Sequence, residues 1–227
     1  NAAKLHFMWH DVRDEAEYIK TGRGDLSIYY LAVDRDKLSP LPEDHRLAKN
    51  ICSCCRSAMA LDKQGNPVIL ARFVYPDNIR DHGLIKVDTN GKAAQVSRVT
   101  YDIWKLDGCP THGPALSISA NGLYHIAWFS QGSNHSGLLY AWSDNEGDTF
   151  SKPLPLGVVS KLPGHPDVLT LGNMVAVVWK EFDGNLTTIK GMVSSDGGLT
   201  WPTANQLAAA PKASAHPALI SDGKRIF

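Results

Sequence analysis

The 227-residue chain lacks an excess of charge of either sign, with 23 Lys and Arg against 23 Asp and Glu. That balance leaves no electrostatic footprint for nucleic acid or for an anionic membrane surface. Long apolar runs are also missing. The stretch 174–179 near the middle falls far short of the roughly 20 residues that cross a bilayer. No segment sustains a 3.6-residue apolar period, which argues against a parallel α/β architecture. What is present fits a folded globular chain: 43% of residues are hydrophobic and 20% charged. Nineteen glycines and thirteen prolines make it turn-rich without low complexity.

One phrase repeats along the chain. Residues 56–71 align without a gap on residues 113–128: apolar alternation, a turn at Gly65 or Gly122, then apolar alternation again. The phrase returns at 165–179 with a shorter turn at Gly172, and begins once more at 216. Starts at 56, 113, 165 and 216 are 57, 52 and 51 residues apart. Upstream, residues 5–9 align with 124–128, so the chain opens inside a repeat. Each unit reads as short period-2 strands punctuated by Gly, Asn and Asp. Four strands and their turns fill about 50 residues, the spacing of a propeller blade. The expected fold is all-β, a β-propeller of four-stranded antiparallel blades. Residues 11–24 hold either one helical turn or a loop.

Two segments sharpen that reading. Ser194, Asp196, Gly198, Thr200 and Trp201 fit the pattern S-x-D-x-G-x-T-W at every fixed position. Ser143, Asn145, Gly147, Thr149 and Phe150 fit it with Asn for Asp and Phe for Trp, 51 residues earlier and in the same phase. Such a turn uses Ser and Asp side chains to satisfy backbone amides and Gly for its positive φ. This pattern resembles the Asp-box, or bacterial neuraminidase repeat, of sialidase-like propellers. In that family the boxes are structural and lie away from the catalytic mouth. The resemblance covers essentially the whole chain. It implies a single propeller domain over residues 1–227, about six blades when complete, of which roughly four are here and both ends are partial.

In a propeller the innermost strand of each blade runs beside the central axis, so equivalent positions converge. The residues opening the inner strands are Cys54, Cys55 and Arg56, then Cys109 and His112, then His165, then His216. The expected mouth is therefore a ring of Cys, His and Arg. Residues 56–60 also resemble the R-I-P-A-L phrase that opens the first sialidase blade, with Ser57 and Ala58 in place of Ile and Pro. The resemblance implies that Arg56 grips a carboxylate, Arg72 supports it, and Asp77 or Asp81 is the acid/base, with Arg80 beside them. Later inner strands open on histidine instead of arginine, and Tyr124 and Glu181 match no nucleophile motif. Alternatively, Arg56, Arg72 and Arg80 pair with Asp77 or Asp81 and brace the blades.

Blade adjacency allows a disulfide from Cys109 to Cys54 or Cys55, as in an exported protein. A second reading makes Cys52, Cys54, Cys55, Cys109, His112, His165 and His216 soft ligands for copper or zinc. No cofactor is firmly implied. His6 and His125 occupy equivalent strand positions and are expected to pack by repeat logic. Trp9, Trp128 and Trp179 recur at one phase, which marks blade core. Trp104 does not recur, and is expected to stack a ligand. The reading that results is a periplasmic or extracellular sialidase-like propeller that binds or hydrolyses an acidic glycan with a degenerate catalytic set. The alternative is a propeller that binds a metal or a protein partner through its Cys/His mouth. No nucleic acid and no membrane span enter either reading.

Overall fold

Alternation along the second strand of each repeat builds the architecture. The computed structural model describes residues 4–21, 24–36, 42–212 and 215–227. Its strands fall into four antiparallel sheets in chain order, the blades of a β-propeller. The first blade is β1 (Lys4–Asp11), β2 (Leu26–Asp34) and β3 (His45–Ile51). The second is β4 (Ala58–Leu61), β5 (Pro67–Arg72), β6 (His82–Val87) and β7 (Ala93–Arg98). The third is β8 (Ala115–Ile118), β9 (Tyr124–Gln131), β10 (Ser136–Ser143) and β11 (Leu154–Leu156). The fourth is β12 (Gly164–Leu171), β13 (Met174–Phe182), β14 (Leu186–Ser194) and β15 (Asn205–Pro211). Among the described residues the sole α-helix is α1 (Ala16–Thr21), between β1 and β2.

Because each central strand is covered on both faces, its two sets of alternate residues pack on different blades. In β5, Ile69 and Ala71 join the cluster with Ile28, Tyr30 and Ile51 of the first blade. Val68 and Leu70 join Leu116, Ile126 and Trp128 of the third. In β9 the same split sends Ala127 and Phe129 toward Val175, Val177 and Trp179 of the fourth blade. Thus a strand that looks uniformly apolar serves two interfaces at once. The three recurring tryptophans each donate an indole N–H to a carboxylate: Trp9 to Asp11 at 3.0 Å, Trp128 to Asp102 at 2.8 Å, Trp179 to Glu181 at 3.0 Å. His6 and His125 likewise share one partner type, the hydroxyls of Tyr30 at 2.6 Å and Tyr140 at 2.7 Å.

The inner strands begin within two residues of the repeat starts at 56, 113 and 165. After His216, Ile220 and Phe227 exchange backbone hydrogen bonds of 3.0 and 2.9 Å around a Ser221–Ile226 bridge, the register that Leu169–Ala176 and Thr170–Val175 hold 51 residues earlier. Residues 11–24 contain the helical turn, as α1.

The two patterned turns link β10 to β11 and β14 to β15, and share one hydrogen-bond scheme. Ser194 Oγ accepts from Gly198 N at 2.9 Å and donates to Asp196 Oδ1 at 2.6 Å, while that same oxygen accepts from Thr200 N at 2.9 Å. In the other turn Ser143 Oγ accepts from Gly147 N at 3.0 Å and Asn145 Oδ1 accepts from Thr149 N at 3.0 Å. Glycine is required at 198: φ is +84° and a Cβ would lie 2.2 Å from the Tyr140 hydroxyl. Trp201 then stands edge-on to Tyr140, with centroids 4.9 Å apart. Antiparallel order places both turns at the end of the blades opposite the starts of the inner strands.

Candidate functional site

Arg56, His165 and His216, which open their repeats, meet His112, one residue ahead of the equivalent Gly113, at the mouth. His112, His165 and His216 form a stack, with ring centroids 4.7 Å apart for the first pair and 3.6 Å for the second. Phe129 continues the stack on the other side of His112 at 4.2 Å. Gly164 makes this approach feasible, since a Cβ there would sit 2.7 Å from the His112 ring. His165 holds φ at +53°, an uncommon value for a non-glycine residue at the first turn of its strand. Arg56 crosses from the second blade to the fourth, donating to the Pro166 carbonyl at 3.0 Å.

The stack is neutral near pH 7. Burial pushes His112 down to about 4 and His165 to about 3, with His216 also lowered. Lys180 adds positive charge beside all three. Below about 6.5, the unfolded chain takes up protons that the folded stack resists, so stability falls as pH drops toward 4 and 3. His112→Phe keeps a ring on Phe129 and removes one of these protons. The urea midpoint of this variant is expected to fall less steeply between pH 6.5 and 4, by up to one proton's worth of slope. Parallel profiles for the variant and the parent chain would show that His112 is not held neutral.

The carboxylate-gripping set implied by the resemblance is not assembled at this mouth. Arg72 is only 1% exposed. Its guanidinium donates to three carbonyls: Arg80 at 2.6 Å, Phe129 at 2.7 Å and His112 at 3.1 Å. Trp104 covers it at 4.8 Å. Asp81 is fully buried and accepts from Arg98, from Ile103 N at 3.1 Å and from Trp104 N at 3.5 Å. Arg72 thus braces the second blade against the third, and Asp81 braces the second blade internally. The pairing expected in the alternative reading does not form: Arg72 bonds carbonyls, Arg80 faces Asp25, and Asp81 pairs with Arg98. Arg80 faces a separate cleft, 3.7 Å from Asp25. Asp77 lies exposed in the 76–78 turn with φ of +63°. Tyr124 and Glu181 are both buried, Glu181 on the Trp179 indole. Trp104, expected to stack a ligand, is 5% exposed and shows little more than an edge.

A cavity of about 450 Å³ opens beside the stack, walled by Trp104, His112 and Phe129 and rimmed by Gln131 and Ser136. Aromatic walls with a few polar rim groups suit a small ligand. Two neighbours of the histidine stack escaped the sequence reading. Phe129 and Lys180 occupy the repeat position of Arg72, one residue beyond where the aligned phrase ends. Extending the phrase by one residue finds both.

The cysteines separate from the histidines. Cys54 and Cys109 form a disulfide, one of the two pairings that blade adjacency allows, while Cys52 and Cys55 are free and buried. Among the described residues, the one group of three potential ligands with close donor atoms is Cys52, Cys54 and Cys55. The three histidines stack ring on ring and do not join it. The seven-residue Cys/His donor set therefore does not form as one site: two of its thiols are in the disulfide and its imidazoles lie elsewhere.

No protein-family model and no curated protein matches the chain. Solved structures do. A protein of unknown function from Dyadobacter fermentans aligns with the whole chain over 71% of its own length, at a TM-score of 0.65 and 13% identity. A Hadza microbial sialidase aligns over 81% of the chain at a TM-score of 0.51 and 17% identity, and an alpha-L-arabinanase of Penicillium chrysogenum, solved with arabinobiose, over 90% at 0.52 and 12%. The alignments take in 46% of the sialidase and 63% of the arabinanase. At these identities the shared property is the propeller fold.

Proposed function

We propose that this chain belongs to a sialidase-like Asp-box propeller, exported from the cell, that binds an acidic glycan at the mouth without hydrolysing it. The observation that carries the reading is the meeting of Arg56, His112, His165 and His216, of which His112 also walls an aromatic cavity. Arg56 and Lys180 supply the positive charge there, and a guanidinium suits a sugar carboxylate. The neutral imidazoles offer flat faces and hydrogen-bonding edges to a pyranose ring. The hydrolytic roles fall away because Arg72 and Asp81 are committed to the interior.

Three further observations support it. Both patterned turns use one hydrogen-bond scheme. Two of the structural neighbours are a sialidase and an arabinanase bound to arabinobiose. The Cys54–Cys109 disulfide favours an oxidising compartment. Among the described residues, no helix is long and apolar enough to cross a membrane.

Calorimetric titration with sialyllactose, a glucuronic-acid oligosaccharide and neutral lactose tests the proposal. Binding of an acidic glycan but not lactose is expected. Arg56→Ala should weaken it at least tenfold, about 1.4 kcal/mol, with the melting temperature nearly unchanged. A fluorogenic sialoside should remain uncleaved. Equal affinity in Arg56→Ala, or no binding of any acidic glycan, would overturn the reading.

A further inference from the structure

All four cysteines of the chain lie together, apart from the stacked imidazoles, with Cys109 also on the wall of the cavity beside His112. Cys52 is anchored by its amide, which donates to the Arg72 carbonyl at 2.9 Å, and the turn 52–55 is closed by Cys55 N on Cys52 O at 3.4 Å. This turn sets the two thiols side by side, with sulfurs 3.4 Å apart. The Cys52 sulfur also lies 3.8 Å from Cys54 Sγ, one half of the disulfide. Exposure runs in one direction across the group. Cys52 and Cys55 are 1% and 2% exposed, Cys54 is half-buried and Cys109 is exposed.

A cleft of about 540 Å³ borders the group, lined by Tyr18, Asp25, Cys52, Ser53, Arg80 and Cys109. The hydrogen bond between the two thiols, with Arg80 and Arg72 nearby, holds the Cys52 thiol below the ordinary range, while the same bond and burial push Cys55 up. The spacing is what thiol–disulfide exchange requires: an attacking sulfur 3.8 Å from one half of a disulfide, with a second thiol 3.4 Å from the attacker to resolve the new bond.

We propose that the cluster is a thiol–disulfide exchange site, in which the buried Cys52/Cys55 dithiol passes its reducing equivalents through the Cys54–Cys109 disulfide to a disulfide substrate at the surface. This inference is independent of glycan binding. In the first step Cys52, as thiolate, attacks Cys54. The Cys52–Cys54 bond forms, the Cys54–Cys109 bond breaks, and Cys109 leaves with the electron pair as thiolate. In the second step Cys55 gives up its proton and attacks Cys52. Cys52–Cys55 forms and Cys54 leaves as thiolate, so one disulfide and two thiols remain throughout.

An external disulfide then takes up the two electrons in a single turnover. Cys109 attacks one of its sulfurs and expels the first thiolate. Cys54 attacks Cys109 in the mixed disulfide, restoring Cys54–Cys109 and expelling the second. The net change oxidises the Cys52/Cys55 dithiol to a disulfide and reduces the substrate disulfide to two thiols. The relay is needed because the dithiol is buried, whereas Cys109 meets solvent.

Trapping in the folded protein provides the test. Under anaerobic conditions at pH 7.5, N-ethylmaleimide should label Cys54 and Cys109, and non-reducing peptide maps should show a Cys52–Cys55 bond. Cys52→Ser should label at Cys109 at least tenfold more slowly. Cys55→Ser stops after the first step, with a Cys52–Cys54 bond and label on Cys109, and this variant carries the test if Cys52→Ser fails to fold. With glutathione disulfide as the probe, the unmodified chain should release two equivalents of glutathione and Cys52→Ser none. An intact Cys54–Cys109 bond with label on Cys52 or Cys55, or with no label, would overturn the proposal. So would four reduced thiols carrying stoichiometric copper or zinc.

Discussion

Arg72→Met should lower the unfolding free energy by about 3 kcal/mol or more, because three carbonyls lose a charged hydrogen-bond donor. Arg72 is the last residue of β5, and its three acceptors belong to different parts of the fold. The Arg80 carbonyl ends the 73–80 connection of its own blade. The Phe129 carbonyl lies near the end of β9, and the His112 carbonyl just ahead of β8. One guanidinium therefore ties the second blade to the third. Methionine fills most of the volume but leaves the three carbonyls without their donor, and each such loss costs about 1 to 3 kcal/mol before relaxation. Arg72→Lys should recover little, because a compact ammonium cannot reach acceptors spread around a planar fork. Urea unfolding measures both variants. A methionine variant within about 1 kcal/mol of the parent chain would contradict this account, given the desolvation at stake.

Asp81→Ala should destabilise by about 3 kcal/mol, from loss of one member of a buried pair. The Asp81 carboxylate joins β6 to Arg98 at the end of β7 and to the amides of Ile103 and Trp104. Without it, Arg98 retains its contacts with the Tyr75 and Tyr101 rings at 4.6 and 4.7 Å but loses its counter-charge. The two amides lose their acceptor. Asp81→Asn keeps one carbonyl oxygen and should cost less, about 2 kcal/mol, with the amide group facing Arg98 unfavourably. Glycan affinity at the mouth should be unchanged in Asp81→Asn. If instead affinity collapsed while stability held, Asp81 would belong to the ligand site and not to the frame.

The blade repeat was legible because it has a physical cause: each central strand needs apolar residues on both faces, and each hairpin needs its turn residues at a set distance. Inner strands at 58, 115 and 164 follow from that. The convergence of Arg56, His165 and His216 was legible for the same reason, since equal phase means equal height beside the axis; His112 stands one residue ahead of the equivalent Gly113 and joins them from there. Depth was not legible. Arg72 and Asp81 occupy positions resembling a sialidase set, but their burial depends on residues 99–113 folding across the blade end and laying Trp104 over Arg72. That loop lies outside the repeat, so no periodicity reports on it. The same loop explains Trp104, which stands apart from the repeat because it covers a guanidinium. Residues after His216 repeat the phrase in register as well as in sequence, Ile220–Phe227 and Ser221–Ile226 standing where Leu169–Ala176 and Thr170–Val175 stand 51 residues earlier.

The Cys54–Cys109 bond joins positions 55 residues apart, and the segment it closes contains all four strands of the second blade. That blade is a covalent ring, which by chain entropy alone is worth about 4 kcal/mol. A protease that cuts the hairpin at 62–66 or at 88–92 would therefore open the ring without dividing the molecule. The two pieces would migrate as one species until a reductant is added, and exchange to Cys52–Cys55 would release them with no reductant at all.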